Sequence, residues 1–460
     1  MKRKLISTLL ATAMVASVVV GCGSGGESKT SEDATLEETG EEAEAEEEVA
    51  VTTVGPDSGT HFDMWVFVEL HSKFYADMVN KWNEANPDKQ IQITFTTYPF
   101  ADMHNKLTMA LQTGEGAPDI CDIERGQFPN FTKGEVQFYP LNDAIEQYRD
   151  KLVDSRLEIY SKGDQIYGAP FHVGATVMYY NDELLSSYGI DYKTIKTWDD
   201  YTEAAKKLNE ASNGEVKMTS VDTGGTDWLW LGMAEYQEDW SDDDGKAIIP
   251  ESMKKTLEMQ KEWMEEDLAM VSPDGHVDTE GGFQNILDGN IASFPKALWY
   301  MSRFLDYMPE EQGKWAIAPC PVFEEGQPRS VGIGGTGTVV TMQSENPELA
   351  AEWLAYAKCS EEGNIEIWNQ LGFDVCNTDV WTNETITKDT SNKYISFFKT
   401  NPFDVLNEIK EEIGAISVNE NTFTLGDYIN TTTLNEIFED EMEVEDALQE
   451  LQDYMDVEQG

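Results

Sequence analysis

Hydrophobic positions follow two different periods in the first part of the chain. Residues 61–68 and 90–98 show the alternation typical of strands, and residues 72–86 and 100–113 show the 3.6-residue period typical of helices. A short apolar run at 119–123 predicts a buried strand. Because strands and helices take turns along the chain, we predict parallel sheets with helices on both faces, that is, an α/β protein.

The rest of the chain adds length and more helices to this picture. The helical period returns at 198–211, 250–267, 347–358 and 444–454. About 400 residues follow the N-terminal segments, which is too many for one hydrophobic core. We therefore expect two lobes of ordinary size.

The N-terminus has the composition of a secretory signal. Three basic residues at 2–4 precede an apolar stretch at 5–20 that is too short to span a bilayer comfortably, and Gly21 and Cys22 follow it. A cysteine directly after a small residue resembles the bacterial lipobox. We therefore expect a signal peptide over 1–21, a lipid on Cys22 and anchoring at the extracellular face of the cell membrane. An ordinary signal peptide that happens to contain a cysteine is the alternative.

Glutamate dominates the segment that follows. Residues 22–51 have no apolar period and repel one another, so we expect a disordered acidic tether between the lipid and the folded part. The whole chain has a formal net charge of −55, which excludes nucleic acid as a partner and makes anionic lipid a poor one for the folded part.

Four further cysteines lie far apart in the folded part, at Cys121, Cys320, Cys359 and Cys376. No CxxC pair or dense framework is present, so we expect four buried free thiols. A disulfide between Cys320 and Cys376 is the alternative.

Unusual residues stand where ligands bind in open parallel sheets, on the loops after the strands. The candidates are Glu69, Glu124, Arg125, Asp227, Trp228, Trp230 and Trp299. Aromatic faces pack on the C–H face of a sugar, while charged and amide groups bind its hydroxyls. The alternative for each tryptophan is a place in the hydrophobic core.

Several segments resemble, in the same order, one protein family. They include Ala117-Pro118-Asp119-Ile120, Ile166-Tyr167-Gly168-Ala169-Pro170, Tyr179-Tyr180-Asn181, Lys196-Thr197-Trp198, Trp315-Ala316-Ile317-Ala318-Pro319, the glycines of 332–337 and Asn346-Pro347-Glu348-Leu349-Ala350. On these residues the chain resembles the extracellular solute-binding proteins of ABC importers, family 1, which take up oligosaccharides. The resemblance covers nearly the whole folded part.

The resemblance implies a type II periplasmic-binding-protein-like fold. Two α/β lobes, each a mostly parallel sheet flanked by helices, would be joined by hinge crossovers near 169–172, 319–321 and 373–377, and a cleft between them would close on the ligand. The N-lobe would comprise 57–170 and 321–373, and the C-lobe 171–320 and 374–455. The implied partners are an oligosaccharide and the permease of an ABC importer, with the protein itself a monomer.

The resemblance also implies roles for single residues. Glu69 matches a polar ligand contact after the first strand, Glu124 and Arg125 match a pair that binds sugar hydroxyls, and Trp299 matches an aromatic platform. The loop with Asp227, Trp228 and Trp230 matches one that carries an aromatic contact, and Phe423 matches a further aromatic position. The 65–69 stretch resembles members that bind arabinose-type or related plant oligosaccharides. Residues 172–174 depart from the family, since several sugar binders have an acidic contact there.

Other classes of function have weaker support. No GxSxG, HExxH, P-loop or GxGxxG motif stands in the required context, so we expect no enzyme and no cofactor. The acidic loop 242–251 imitates a calcium-binding loop, but Trp240 would occupy its first ligand position, so we expect no metal. A binding lipoprotein for a peptide or polyamine and a surface glycan-binding adhesin without transport remain alternatives. Arg125 would repel a polyamine.

Overall fold

The structure, a computed structural model, describes residues 49–459 except Asp243, and Glu420 only in its backbone. The expected signal peptide 1–21, the expected lipidation site Cys22 and the tether up to residue 48 lie outside the described residues. The first strand, Ala50–Val54, begins before the expected end of the tether at 51. Its β-branched residues favour a strand, and it pairs antiparallel with Ile91–Thr97.

The strands, in chain order, are β1 Ala50–Val54, β2 Thr60–Val66, β3 Ile91–Thr97, β4 Ile120–Glu124, β5 Ser161–Lys162, β6 Gln165–Ile166, β7 Gly168–Pro170, β8 Thr176–Asn181, β9 Thr219–Val221, β10 Ala269–Val271, β11 Ser293–Ala297, β12 Trp315–Ala318, β13 Ser330–Val331, β14 Thr336–Val340 and β15 Ile413–Gly414.

The α-helices are α1 Glu69–Ala85, α2 Phe100–Thr113, α3 Phe128–Phe131, α4 Asn142–Ile145, α5 Asp154–Glu158, α6 Asp182–Ser187, α7 Trp198–Ser212, α8 Asp227–Tyr236, α9 Glu251–Glu265, α10 Glu280–Leu287, α11 Met301–Tyr307, α12 Pro347–Cys359, α13 Glu361–Leu371, α14 Asp379–Thr382, α15 Glu384–Thr387, α16 Lys393–Phe397, α17 Pro402–Ile409, α18 Glu420–Tyr428, α19 Leu434–Phe438 and α20 Val444–Glu458. In the part of the chain that the structure describes, no helix is long and apolar enough to cross a membrane.

Six strands form one sheet, here called the N-sheet, in the order β1-β3-β2-β4-β14-β7. Its first three predicted strands, β2, β3 and β4, pair in parallel as the sequence indicates. Helix α1 covers one face, because Phe74, Met78, Val79 and Trp82 share a stripe and are buried. Helix α2 covers the other face through Met103, Leu107 and Leu111. The predicted layering, with helices on both faces, is therefore confirmed for this sheet.

A second sheet, here called the C-sheet, has the order β11-β8-β12. Both pairs are antiparallel, with Tyr179 of β8 opposite Phe294 and Ile317. The α/β class is confirmed, but the expectation of a mostly parallel sheet is wrong here. Strand β14 also runs antiparallel to its neighbours β4 and β7 in the N-sheet. In both sheets a later strand runs back beside an earlier one: β11 and β12 pair with β8, and β14 pairs with β4 and β7.

The chain passes between the two sheets at closely packed segments. One lies between β7 and β8, where the Gly174 carbonyl accepts a hydrogen bond of 2.8 Å from the Ile333 amide. Gly174 has φ +75°, and a Cβ there would lie 2.2 Å from the Ile333 carbonyl oxygen, so only glycine fits. Residue 375 pairs with His172, which places the expected 373–377 crossover beside the first one.

The return to the N-sheet comes later than the expected crossover at 319–321. Val322 still pairs with Thr197, and its carbonyl accepts a hydrogen bond from the Trp198 amide at the start of α7. Strand β14 of the N-sheet begins only at Thr336, after the glycine-rich segment 332–335. The lobe boundaries themselves stay a prediction.

The four cysteines of the folded part are buried and free, as expected. The alternative disulfide between Cys320 and Cys376 is not formed in this structure. Burial raises the pKa of both thiols, so they behave as small apolar residues.

Candidate ligand-binding site

An arginine that follows an N-sheet strand contacts a tryptophan of helix α8. Arg125 directly follows β4, and its backbone amide donates a hydrogen bond of 2.9 Å to the Gly335 carbonyl. Its guanidinium carbon lies 3.9 Å from the centre of a Trp230 ring in α8, which is within cation–π distance. The contact therefore joins the carboxyl end of an N-sheet strand to a helix that packs in the same hydrophobic cluster as strand β8 of the C-sheet.

Arg125 keeps unused hydrogen-bonding capacity in this contact. Its Nε and Nη1 atoms are buried and have no hydrogen-bond partner among the described residues. Trp230 is 3% exposed, and its Nε1 is buried without a partner in the same sense. Buried donors are normally satisfied, so donors without a partner indicate a place where a ligand or water supplies the acceptor.

Glu124 stands beside Arg125 and contributes an acceptor. Its Oε2 accepts a hydrogen bond of 2.6 Å from the Gly126 amide. Burial raises the pKa of Glu124, and the neighbouring Arg125 charge opposes that rise. The pair thus supplies a carboxylate and a guanidinium at the end of one strand, as the sequence predicted.

Two residues that the sequence did not single out lie next to Arg125. Arg156 is 1% exposed, and its Nη2 donates a hydrogen bond of 2.6 Å to the Gly334 carbonyl, while its Nε has no partner among the described residues. The buried hydroxyl of Tyr160 has none in the same set. A Cβ on Gly335, where φ is +144°, would lie 2.7 Å from Arg156 Nη2. Only the glycines of 332–337, which the resemblance had marked, hint at this packing in the sequence.

Asp227 brings a second carboxylate to the same cluster. It forms an ion pair with Lys296 of β11, which is 2% exposed and lies 2.9 Å from His276 Nε2. Burial alone would raise the pKa of Asp227, but the Lys296 and His276 charges hold it below its usual value. The Arg125 charge lowers it further. Asp227 therefore stays ionised, and its negative charge attracts both Lys296 and Arg125.

Trp299 lies at the edge of the cluster. Its ring is half-buried, 5.7 Å from the Lys296 ammonium and 5.5 Å from the Arg303 guanidinium. Its Nε1 donates a hydrogen bond of 3.3 Å to the Ile333 carbonyl in the passage between the sheets. An aromatic ring fixed at that passage, with part of its surface open, fits the expected platform.

The structure thus brings five predicted residues into one cluster: Glu124, Arg125, Asp227, Trp230 and Trp299. Together with Arg156 and Tyr160 they form what we call the central cluster. Its seven side chains combine three aromatic rings, donors without a partner among the described residues, and two carboxyl groups, of which Asp227 stays ionised.

The structure places Trp228, one of the predicted ligand contacts, in the hydrophobic core instead. It is 4% exposed and lies between Trp198 and Trp263 in the core, at ring distances of 5.5 and 5.6 Å. Residues 227–230 also begin helix α8 rather than form a loop, because apolar residues continue to Tyr236. The helical turn directs Trp228 and Trp230 to different sides, and only Trp230 reaches Arg125.

Glu69 and Phe423 are exposed and lie apart from these contacts. Glu69 begins α1 and forms an ion pair of 2.9 Å with Lys73. Phe423 in α18 is 40% exposed. Of the contacts between described residues, none joins either side chain to the central cluster, so their assignment as ligand contacts stays a prediction.

A cavity of about 1150 Å³ opens at another place. Its lining includes Lys196, Glu235, Cys320, Arg329, Glu408 and Glu412. Arg329 is held there by Glu408 at 2.7 Å and by Glu412 at 2.6 Å. Because the Arg329 guanidinium is already paired with these two carboxylates, it has less capacity to bind a polar ligand than the Arg125 guanidinium of the central cluster.

Comparison with known proteins agrees with this architecture. Residues 68–362 match the family model described as bacterial extracellular solute-binding protein. The chain is 39% identical over 409 residues to an arabinooligosaccharide-binding protein of Halalkalibacterium halodurans, covering 87% of this chain and 91% of that protein. It is also 39% identical over 386 residues to the protein of that name from Bacillus subtilis, covering 83% and 88%.

Among solved structures, the sugar-binding protein MalE from Xanthomonas citri superposes with a TM-score of 0.73 at 15% identity. The match covers 86% of this chain and 96% of that one. This likeness confirms the type II periplasmic-binding-protein-like fold. The sequence matches also show the family, because the family model covers residues 68–362 and the relative at 39% identity covers most of both chains. The chain belongs to the bacterial extracellular solute-binding proteins.

Proposed function

We propose that this protein captures an arabino-oligosaccharide outside the cell and delivers it to the membrane permease of an ABC importer. The observation that carries the proposal is the Arg125–Trp230 contact, with buried donors on both side chains that have no partner among the described residues. The names of the two relatives at 39% identity support the sugar class.

The central cluster has the chemistry that such a ligand needs. The half-buried ring of Trp299 offers a flat apolar surface for the C–H face of a sugar, while the buried Trp230 ring packs against Arg125. Arg125 and Arg156 can donate to hydroxyl oxygens, and the Glu124 carboxylate can accept from hydroxyl hydrogens. A neutral, hydroxyl-rich solute can satisfy all of these groups at once.

The geometry also explains how binding could be coupled to closure. Arg125 follows an N-sheet strand, whereas Trp230 and Trp299 pack in the hydrophobic cluster that includes Met178 and Tyr180 of the C-sheet strand β8. A ligand that touches both sides binds the closed arrangement more tightly than an open one, so it shifts the population towards closure. The permease would then recognise the closed form of a monomeric binding protein.

Two arginines near one another disfavour the polyamine alternative. Arg125 is half-buried and Arg156 is buried, and they are close enough for each charge to affect the other. A cationic ligand in this cluster would have to approach both. We further propose that the protein binds its ligand without catalysing a reaction on it, so that sugar recovered from the complex is chemically unchanged.

Titration calorimetry with a panel of oligosaccharides tests the proposal. We expect one-to-one binding of arabino-oligosaccharides, and at a hundred times the dissociation constant a gain of about 2.7 kcal/mol in unfolding free energy. Malto- and galacto-oligosaccharides serve as comparison ligands. If every sugar fails while a peptide or polyamine binds, the proposed ligand class is wrong although the family stands.

Anchoring needs a separate test. We propose that Cys22 carries a lipid and holds the protein at the extracellular face of the membrane, because residues 1–22 have the lipobox-like sequence. A Cys22→Ser variant should then appear in the medium instead of the membrane fraction. Membrane retention of that variant would contradict lipidation at Cys22.

A further inference from the structure

Strand β1 places the start of the folded part at the edge of the N-sheet where the candidate ligand site lies. It runs antiparallel to β3, with Ala50 opposite Thr97, the last residue of that strand. Thr97 is also opposite Val66, the last residue of the parallel strand β2. Arg125 directly follows β4, which is parallel to β2 as well. We call this edge, at the carboxyl ends of β2, β3 and β4, the ligand edge.

A tight turn fixes this course of the chain. Residues 55–59 lead from β1 past the amino end of β3 to β2, because β3 lies between those two strands. Gly55 has φ +107°, and a Cβ there would lie 2.3 Å from the Ile91 carbonyl oxygen, so only glycine fits. Without β1 the folded part would begin at Thr60, at the opposite edge of the sheet. The strand therefore moves the start by about 17 Å.

The place of this start decides which edge a membrane anchor holds near the bilayer. The expected lipid is on Cys22, and the roughly 28 residues between it and β1 can span at most about 95 Å. An attachment at the ligand edge raises the effective concentration of that edge at the membrane. From an attachment at Thr60, the connecting chain would first have to pass the height of the N-sheet.

The ligand edge also exposes apolar side chains. Val68 and Leu70, after β2, are each 37% exposed, and Phe100, after β3, is 43% exposed. Apolar groups exposed together at one edge of a folded protein indicate a surface that contacts something else. Since the folded part begins at the same edge, a partner in the membrane is the one that an anchor would bring to it.

From these observations we infer that β1 is an anchor-positioning strand. It joins the lipid-bearing segment to the folded part at the ligand edge, so that the anchored protein presents this edge to the permease in the membrane. The inference rests on the proposed function and on lipidation at Cys22, and it adds to them the orientation of the protein on the bilayer.

Fluorescence energy transfer measures which edge lies nearer to the bilayer. A donor dye is attached to the lipidated protein through Asp102→Cys, after the carboxyl end of β3, or through Asp88→Cys, before its amino end; both positions are exposed. The four cysteines of the folded part are buried, so the dye reacts at the introduced position. The protein, with residues 24–43 deleted to shorten the tether, is bound to phosphatidylcholine vesicles that contain an acceptor-labelled lipid.

We expect stronger transfer from position 102 than from position 88, because about 23 Å of strand separates the two ends of β3. Removing residues 50–59 joins the same short tether to Thr60 and should reverse this order. In cells, the short-tether protein that retains β1 should support uptake of an arabino-oligosaccharide, whereas the one without 50–59 should lose at least about fivefold. With the full tether, both should support uptake.

A melting curve and a sugar titration of each variant separate a folding defect from an effect of orientation. The two labels compared within the protein that retains β1 decide the inference even if removal of 50–59 prevents folding. Equal transfer from the two labels, or stronger transfer from position 88, would overturn the inference and leave sugar binding intact. Equal uptake by the two short-tether variants would overturn it as well. If the wild type binds no arabino-oligosaccharide, the proposed function fails, and if it does not stay on the membrane, lipidation at Cys22 fails and the inference fails with it.

Discussion

Replacing Arg125 with alanine removes the contact that joins the two sides of the candidate ligand site. Arg125 lies 3.9 Å from the Trp230 ring centre and has two buried donor atoms without a partner among the described residues. The variant loses the cation–π contact, and it loses any hydrogen bond that these donors make to a sugar. We therefore expect weaker binding from two independent causes.

The expected loss follows from the burial of both groups. A desolvated cation–π contact contributes about 2 kcal/mol, and a hydrogen bond from a charged donor about 1.5–3 kcal/mol. Together they amount to about 3.5–5 kcal/mol, so the dissociation constant should rise by roughly two and a half to three and a half orders of magnitude. Arg125→Lys keeps the charge but loses the flat, forked guanidinium, and should lie between the variant and the wild type.

Calorimetry with an arabino-oligosaccharide measures this effect, with a melting curve to show that each variant is folded. Arg149→Ala is the matched control, because it removes one positive charge from a surface pair with Asp154. We expect the control to bind as the wild type does. A folded Arg125→Ala variant with the wild-type dissociation constant would refute the placement of the ligand against Arg125.

Three further expectations concern the same region. Trp299→Ala should raise the dissociation constant about 5- to 30-fold by removing a stacking surface, and unchanged affinity in calorimetry would exclude Trp299 from the site. Gly335→Ala should cost about 1–3 kcal/mol more in a denaturant titration than Gly313→Ala, since a Cβ at Gly335 meets Arg156 whereas at Gly313 it meets nothing within 4 Å; equal costs would contradict this packing. Burial raises the pKa of Asp374 to about 7, so between about pH 4 and 7 the folded state binds a proton that the unfolded state has released. As the pH rises from about 4 to 7, the unfolding free energy of the wild type should therefore fall by up to about 1.4 kcal/mol per pH unit relative to that of Asp374→Asn. Parallel pH profiles of the two proteins would argue against this effect.

Local periodicity predicted three strands of the N-sheet, β2, β3 and β4, and the helices α1 and α2 that cover it, but not β1, β7 or β14. Helix α2 has the predicted bounds, 100–113, because its apolar stripe and the glycine that follows it are both visible in the sequence. Strand direction was harder to predict. The antiparallel pairing of β8 with β11 and β12 joins residues far apart in the chain, and alternation within a strand carries no information about its partner's direction.

The candidate ligand site shows the same division between local and long-range information. Glu124 and Arg125 could be predicted because they directly follow a recognisable strand. Arg156 could not, because its place beside Arg125 depends on packing against Gly332 and Gly335 much later in the chain. Trp228 and Trp230 are both buried two residues apart, and only the helical geometry of α8 decides which one reaches Arg125.

A crystal structure of the protein with a bound arabino-oligosaccharide tests the central claim most directly. We expect the sugar to lie between the N-sheet and α8, within hydrogen-bond distance of Arg125 and packed on Trp299. A sugar bound instead in the cavity beside Arg329 and Glu412, with the Arg125–Trp230 contact unchanged, would contradict the claim.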